Sequence, residues 1–246
     1  MLGSIMMKTP WKWTAIGKHP LAMDYFELGP NDVLTNAFAG WIENGYRQLI
    51  SSRKKGMGFH SWRFWVPGKR RGTIACGISR DSSDRMGRPY PLLIIGMGSL
   101  PGWEEHWDLL PLVFETPWNR MEYLAATRFA DLRALEDEMK RLPTPVLEQR
   151  RPIYHQADEA PPFLTNTVKK SAEALVKDHE FYAVINDNHD HDAFSLVMHW
   201  HQGLKARLNK IPAIVLMGGT PEKSYLAVFS RSLNANDFVK LWTISS

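Results

Sequence analysis

The segment of residues 83–92 constrains the fold of this chain more than any other stretch. It places two arginines around Gly87, and glycine adopts backbone angles that other residues avoid. Pro89 and Pro91 fix φ, lack a backbone N–H and hold the residue before them in an extended conformation. The apolar run 92–95 begins immediately after the second proline. The segment therefore predicts a rigid, charged loop that leads into a buried strand.

The overall composition is that of an ordinary globular protein. The 246 residues are 44% hydrophobic and 23% charged, and a chain of this length can bury a sizeable core without disulfides or metals. The formal net charge is only +4, and the basic clusters at 53–55 and 69–71 lie beside glycines. We interpret both clusters as solvated loop tips, so the sequence does not predict nucleic-acid binding.

The single cysteine, Cys76, excludes an intrachain disulfide. It lies in the strand-like run 73–78, where cysteine behaves as a small apolar residue, so we do not expect a catalytic thiol. No apolar stretch approaches the roughly 20 residues that span a bilayer, and the N-terminus lacks a signal-peptide pattern. We therefore expect a cytoplasmic protein without membrane insertion.

Residues 31–50 carry the clearest helical pattern in the first half of the chain. Apolar and small residues recur on one stripe at helical spacing: Leu34, Phe38, Trp41, Gly45 and Leu49. Asn31 or Asp32 is suited to cap the N-terminus. Gly40 and Gly45 lower the intrinsic stability of the helix, and they would let a strand or a second helix approach closely.

Three strand-like segments follow, at residues 59–66, 73–79 and 91–97. The connection between the first two is rich in turn-forming residues, which predicts a hairpin. Beyond the third strand the pattern predicts a short helix at 103–110 and a longer one at 118–142.

Prolines concentrate in residues 143–162, which we interpret as a linker or crossover. It separates a first region, 11–142, from a smaller C-terminal α/β region, 143–246, that we expect to pack against the first. The second region is predicted to contain helices near 165–178, 192–208 and 235–242, and strands at 180–186, 212–218 and 225–231. The whole pattern favours an α+β fold with a largely antiparallel central sheet flanked by helices.

Four motifs resemble those of the TagF/ImpM family, which is associated with bacterial type VI secretion. Residues 84–92, Asp-Arg-Met-Gly-Arg-Pro-Tyr-Pro-Leu, resemble its DRVGRxFPL element, and residues 17–25, Gly-Lys-His-Pro-Leu-Ala-Met-Asp-Tyr, resemble its GKLPxxGDF element. Trp41 fits the family's WDxWL helix, and residues 62–64 fit its WRF strand. The order and spacing of the four motifs agree with the family over roughly residues 11–140.

Three positions depart from the family pattern. Met23 stands where the family usually has glycine, Tyr25 replaces phenylalanine, and Gly40 replaces the acid before the helix tryptophan. The resemblance implies a sheet flanked by helices, similar to longin or profilin-like domains.

The resemblance also implies a function without catalysis. Members of the family act as accessory proteins of type VI secretion, which implies a post-translational regulator that represses assembly or firing through protein–protein contact. A forkhead-associated scaffold protein is the implied partner, and no cofactor is expected.

The candidate site residues lie on or beside these motifs and carry charged or aromatic side chains: Lys18, Asp24, Trp62, Asp84, Arg85, Arg88 and Tyr90. Two interpretations fit them. The arginines could pair with the aspartates and brace two loops against the sheet, as bidentate arginine–carboxylate pairs do well. Alternatively the charged residues could form a partner-binding surface with Trp62 or Tyr90 as an aromatic anchor.

Two other functions remain as alternatives. Segment 187–201 is rich in histidine and aspartate, so a metal-dependent hydrolase could be centred there, with His189 and His191 as ligands. Against it, His199 and His201 would point to different sides of a helix, and His201 falls on the apolar stripe. The second alternative is a longin-like adaptor for trafficking or a small GTPase, which depends on fold analogy alone.

Overall fold

The computed structural model describes residues 9–52, 58–147, 162–185 and 193–244. Their strands form one eight-stranded sheet in which every neighbouring pair is antiparallel, with the order β2-β1-β5-β4-β3-β7-β8-β6. The strands are β1 Lys12–Gly17, β2 Phe26–Leu28, β3 Ser61–Pro67, β4 Thr73–Arg80, β5 Leu92–Ser99, β6 Glu180–Val184, β7 Ile214–Gly219 and β8 Ser224–Phe229.

Helices cover both faces of this sheet. They are α1 Val33–Ser51, the 3-10 helix η1 Glu104–Leu109, α2 Leu110–Ala126, α3 Leu132–Lys140, α4 Pro162–Asp178, α5 Ala193–Lys205 and α6 Ala235–Leu241. Helices α1 and α6 pack on one face, and α2 to α5 pack on the other. The architecture confirms the predicted α+β fold with an antiparallel central sheet, whereas the likeness to longin domains stays a prediction.

Burial on both faces explains the unbroken apolar run at the start of β5. Leu92 and Ile94 point into the core beneath α2, while Leu93 and Ile95 point into the core beneath α1. Successive side chains of a strand alternate between faces, so a strand covered on both sides needs apolar residues at every position. The chain that enters this strand is the charged loop of residues 81–91.

Helix α1 begins where the sequence predicted. The Asp32 carboxylate accepts hydrogen bonds from the backbone N–H groups of Leu34 and Thr35, at 2.8 and 2.9 Å. Further along the helix, Gly45 faces α6 so closely that a Cβ there would lie 2.2 Å from Cβ of Phe238. The predicted close approach of a second helix is therefore confirmed at Gly45.

The predicted single helix over 118–142 is wrong. The structure has α2, which begins earlier at Leu110 and keeps Pro117 inside it, and then a separate α3. The chain turns to extended backbone at Thr127 (φ −85°, ψ 138°), and the Asp131 carboxylate accepts a hydrogen bond from the Ala134 N–H and starts α3 anew. A capping side chain that satisfies free N–H groups offers the backbone an alternative to a continuous helix.

The sheet also contains two strands that the sequence analysis did not predict. Strand β1 pairs with β5 along its full length, and the three-residue β2 adds an edge next to β1. The burial pattern of β1, with Trp13 and Ala15 in one core and only Lys12 exposed, is too short and too apolar to be distinguished from a turn or helix segment by periodicity.

The C-terminal region continues the same sheet. Strand β7 pairs with β3 from Ser61↔Gly219 to Trp65↔Val215, and α6 packs against α1 across the Gly45 contact. Residues 148–161 of the predicted crossover lie outside the described residues. The division of the chain into regions 11–142 and 143–246 stays a prediction.

The Gly45 contact gives a test of helix packing. We expect Gly45→Ala to lower the free energy of unfolding by about 1–3 kcal/mol, because the added methyl group overlaps the Phe238 ring. Gly40→Ala is the matched control, since a Cβ at Gly40 meets nothing within 4 Å, and it should raise stability by about 0.5–1 kcal/mol through helix propensity alone. Urea denaturation measures both, and equal shifts in the same direction would contradict the close contact.

Candidate functional site

The predicted charged loop is built around one buried carboxylate. Asp84 lies in the loop between β4 and β5, and its side chain has no exposed surface. The loop closes on itself through a bridge between Ser83 and Pro89 and a hydrogen bond from the Asp84 N–H to the Arg88 carbonyl, at 3.1 Å. Gly87 takes φ +77° at the turn, which favours glycine.

Four donors converge on the Asp84 carboxylate. One oxygen, Oδ2, accepts hydrogen bonds from Lys18 Nζ at 2.9 Å and from Arg88 Nε at 2.7 Å. The other, Oδ1, accepts from the backbone N–H groups of Met86 at 2.9 Å and Arg88 at 3.0 Å. A buried carboxylate is tolerated when its charge is paired and its lone pairs are bonded, and Asp84 meets both conditions.

These contacts set the ionisation of Asp84. Burial on its own raises the pKa of the carboxyl, but the hydrogen bonds from Lys18, Arg88 and Met86 outweigh burial and lower the pKa from 3.8 to about 2. Asp84 is therefore a fixed negative charge at neutral pH.

The second predicted loop, residues 18–25, attaches to the same cluster. Asp24 Oδ2 lies 3.2 Å from Arg88 Nη2, and Asp24 Oδ1 lies 3.8 Å from Lys18 Nζ. Arg88 Nη2 also donates to the Met23 carbonyl at 2.7 Å, and the Arg85 backbone N–H donates to the Ala22 carbonyl at 2.8 Å. Side-chain and main-chain bonds thus join two loops that are more than sixty residues apart in sequence.

Asp24 differs from Asp84 in its exposure. Its side chain is 65% exposed, and its pKa is lowered mainly by the hydrogen bond from the Tyr25 N–H, with smaller contributions from Arg88 and Lys18. Asp24 therefore joins the cluster from the solvent side, while Asp84 forms its centre.

His19 anchors the first loop to helix α2. The ring is buried; its Nε2 lies 3.2 Å from the Leu124 carbonyl, and its Nδ1 lies 3.3 Å from the Leu21 N–H. Burial lowers the pKa of His19, so the neutral ring donates from Nε2 and accepts at Nδ1. Sequence reasoning missed this residue because a histidine in a loop carries no signal of what it contacts.

Aromatic rings flank the charged cluster on one side. Tyr90 packs edge-to-face with Tyr25 at 5.6 Å and with Tyr46 at 5.0 Å, and the Tyr46 hydroxyl donates to the Pro89 carbonyl at 2.8 Å. Burial raises the pKa of Tyr90. The structure thus places Tyr90 beside the cluster, as a link between the loops and α1.

Two of the predicted site residues lie apart from this arrangement. The Arg85 side chain is exposed and makes no hydrogen bond or ion pair with any of the described residues. Trp62 is completely buried in β3, between Ser79 of β4 and Gly218 of β7, in the core beneath α1 and α6. The Trp62 ring does not reach the surface on which the loops lie.

The alternative metal site cannot be followed through this structure, because His189 and His191 lie outside the described residues. Within the described ranges, no group of three histidine, cysteine or acidic side chains is arranged to hold a metal. His201 is fully buried: its Nδ1 donates to the Val197 carbonyl at 2.8 Å, and its Nε2 accepts from the Trp65 indole at 3.2 Å. His201 therefore lies in the core, which agrees with its position on the apolar stripe of the helix.

A family model matches the part of the chain that contains both loops. The model of the TagF N-terminal domain, described as type VI secretion system-associated, matches residues 14–142, just over half of the chain. This chain belongs to the TagF family. The matched span contains both braced loops and all seven residues that the sequence analysis singled out.

A solved structure shares the fold of this TagF-family chain. The crystal structure of PA0076 from Pseudomonas aeruginosa PAO1 superposes with a TM-score of 0.54 at 16% identity, over 95% of each chain. At this identity the likeness concerns the fold alone. No curated protein matches the sequence significantly.

No helix within the described ranges has the length and apolar character needed to cross a bilayer.

The two arginines of the loop are expected to behave differently on substitution. Arg88→Ala removes two of the cluster's ion pairs and leaves the buried Asp84 with one cationic partner, Lys18, among the described residues. We therefore expect a loss of about 1–3 kcal/mol in the free energy of unfolding. Arg85→Ala is the matched control and should change stability by less than about 0.5 kcal/mol. Urea denaturation decides: equal losses for both variants would contradict the brace.

Acid should weaken the contribution of Asp84. Because the pKa of Asp84 is lower in the folded protein than its ordinary 3.8, the unfolded chain binds the proton first, and the stabilisation is complete above pH 3.8 and lost as pH falls toward about 2. Asp84→Asn should therefore be less stable than the parent at neutral pH, and this difference should narrow below pH 3.8. Unfolding free energies of both proteins across this range provide the measurement, with Asp137→Asn on the exposed side of α3 as the control. A difference that stays constant with pH would contradict the paired buried carboxylate.

Proposed function

We propose that this chain is a cytoplasmic, non-enzymatic regulator of type VI secretion, which represses assembly or firing by binding another component of the system. Membership of the TagF family supports the link to type VI secretion. The regulatory role and its sign come from the family resemblance of the loop motifs.

The observation that carries the proposal is a set of exposed apolar residues on loops that are held rigid. Met23, Tyr25 and Met86 are 61%, 48% and 67% exposed, and all three lie on the two loops that Asp84 and Arg88 join. We call Met23, Tyr25, Arg85 and Met86 the braced surface. Preorganised loops lose little conformational entropy on binding, so apolar and arginine side chains on them suit a protein contact.

The charge arrangement favours binding over catalysis. Asp84, with its pKa lowered to about 2, is a poor proton acceptor near neutral pH, and its oxygens are already bonded to Lys18 and Arg88. Cys76 is fully buried, and burial raises the pKa of its thiol, which disfavours a nucleophilic thiolate.

A forkhead-associated scaffold protein is the partner that we propose, as the family resemblance implies. Arg85 contributes an exposed positive charge that none of the described residues neutralises. We therefore expect the contacted patch of the partner to be apolar with an acidic rim.

The test combines secretion with binding in the native host. Deleting the gene for this chain should increase type VI-dependent killing of a competitor strain, and overproducing the wild-type chain should suppress it. The double variant Arg85→Glu with Met86→Ser should fold normally, lose suppression and lose copurification with the forkhead-associated protein, because it reverses the charge and removes the apolar contact of the braced surface.

A matched control comes from helix α4. Val176 and Lys177 are an adjacent exposed apolar and basic pair on α4, so Val176→Ser with Lys177→Glu makes the same chemical change away from the braced surface. This control should suppress secretion like the parent. Unchanged killing after deletion would remove the regulatory role, and full suppression by the Arg85/Met86 variant would remove the braced surface from it.

A further inference from the structure

A cavity opens at the end of the sheet from which the two motif loops also extend. It lies where β3 begins, β4 ends and β7 ends, under α2 and α5, and its volume is about 600 Å³. Cavities of a few hundred to a thousand cubic ångströms are the size of small-molecule sites. Neither the family resemblance nor the proposed function accounts for it.

Arg63 and Glu122 in the cavity wall form an ion pair with each other. Arg63 Nε and Nη2 each lie 2.7 Å from an oxygen of Glu122, in a bidentate pair, and Arg63 Nη2 donates to the Asn119 side chain at 2.8 Å. The charges of Arg63 and Glu122 therefore neutralise each other, and both side chains are engaged before any ligand arrives.

Arg80 supplies the remaining positive charge of the wall. Its guanidinium carbon lies 4.5 Å from the centre of the Phe59 ring, and its buried Nε has no hydrogen-bond acceptor among the described residues. It forms no ion pair within those ranges either. Burial lowers the pKa of Arg80, and the nearby carboxylates of Glu122 and Asp81 partly offset that effect, so the charge of Arg80 lies in a partly buried position.

Trp118 supplies a second unused donor. The residue is 2% exposed, lines the cavity, and its indole N–H has no acceptor in the part of the chain that the structure describes. A buried N–H without an acceptor is costly, and tryptophan indoles normally find one. Both unpartnered groups at this cavity, Arg80 Nε and Trp118 Nε1, are donors.

We infer that the cavity binds a small organic anion, with a carboxylate held by the Arg80 guanidinium next to the indole of Trp118. A ligand bound by a guanidinium must bring acceptors, and an arginine without an ion pair among the described residues favours acceptors that carry negative charge. The rest of the wall is largely apolar, with Pro111, Ile185, Phe194, Val197 and Met217, so the body of the ligand is apolar and compact. A phosphate, with more charge and no apolar body, would match these walls poorly.

The test uses two carboxylates and their uncharged amides as probes on the full chain. Phenylacetate and hexanoate should bind, and phenylacetamide and hexanamide should bind roughly tenfold more weakly or worse, because each amide keeps the shape and loses the charge. Isothermal titration at constant ionic strength measures the affinities. The assigned indole N–H signal of Trp118 in the NMR spectrum should shift with the carboxylates.

Arg80→Gln should lose roughly tenfold or more in affinity for phenylacetate. Arg71→Gln is the control, because Arg71 lies on the β3–β4 connection outside the cavity, where it pairs with the exposed Glu105, and its affinity should match the parent. Affinities no tighter than about 1 mM for both carboxylates, equal binding of acid and amide, or wild-type binding by a folded Arg80→Gln would each overturn the inference. If Arg80→Gln does not fold, the Trp118 signal decides, since an unmoved indole N–H in the parent protein contradicts the site.

Discussion

The conformation of the two motif loops depends on the burial of one carboxylate. A charge without exposed surface must be paired and bonded, and the loop of Asp84 can supply only part of what it needs. Lys18 completes the set from a loop that begins at the end of β1. Separating the loops would remove Lys18 from the buried Asp84 carboxylate. The free-energy cost of burying a charge without this partner therefore keeps both loops together.

The four charges of the brace also balance. Lys18 and Arg88 contribute two positive charges, and Asp24 and Asp84 contribute two negative ones. The cluster is therefore close to neutral as a unit and exerts little long-range attraction. Arg85 lies outside this cluster, and in the proposed function it supplies the local positive charge for the partner, so that stability and recognition would depend on different residues of one motif.

Sequence reasoning predicted this cluster in part. The motifs placed Lys18, Asp24, Asp84 and Arg88 in two loops with opposite charges, which is enough to suggest a brace. The sequence did not show that Arg88, and not Arg85, pairs with Asp84, because the pairing depends on the turn. The chain reverses at Gly87, which brings Arg88 back to the carboxylate four residues earlier.

In the fold, too, features set by neighbouring residues could be predicted, whereas features set by residues far along the chain could not. The cap of α1 and the burial of β5 depend on residues a few positions apart, and the sequence predicted a cap at Asn31 or Asp32 and a buried strand after Pro91. The burial of Trp62 depends on β7, which lies more than 140 residues later and covers the free edge of β3. Gly218 opposite Trp62 has no side chain, and a Cβ there would lie 2.0 Å from the Ser61 carbonyl oxygen. No residue near Trp62 in the sequence indicates that β7 pairs with β3.

The end of β4 connects the distinct parts of the molecule. Arg80 faces the cavity, and Asp84 holds the two motif loops together. Between them, Asp81 accepts hydrogen bonds from the His60 N–H at 2.8 Å and from the Trp242 indole at 2.7 Å. These bonds attach the start of β3 and the end of α6 to segment 80–84. Moving Arg80 relative to Asp84 would require breaking the bonds of Asp81. The cavity and the braced surface are therefore held at a fixed geometry by one short segment, and a partner that docks on the loops meets a surface whose position is set by the core of the sheet.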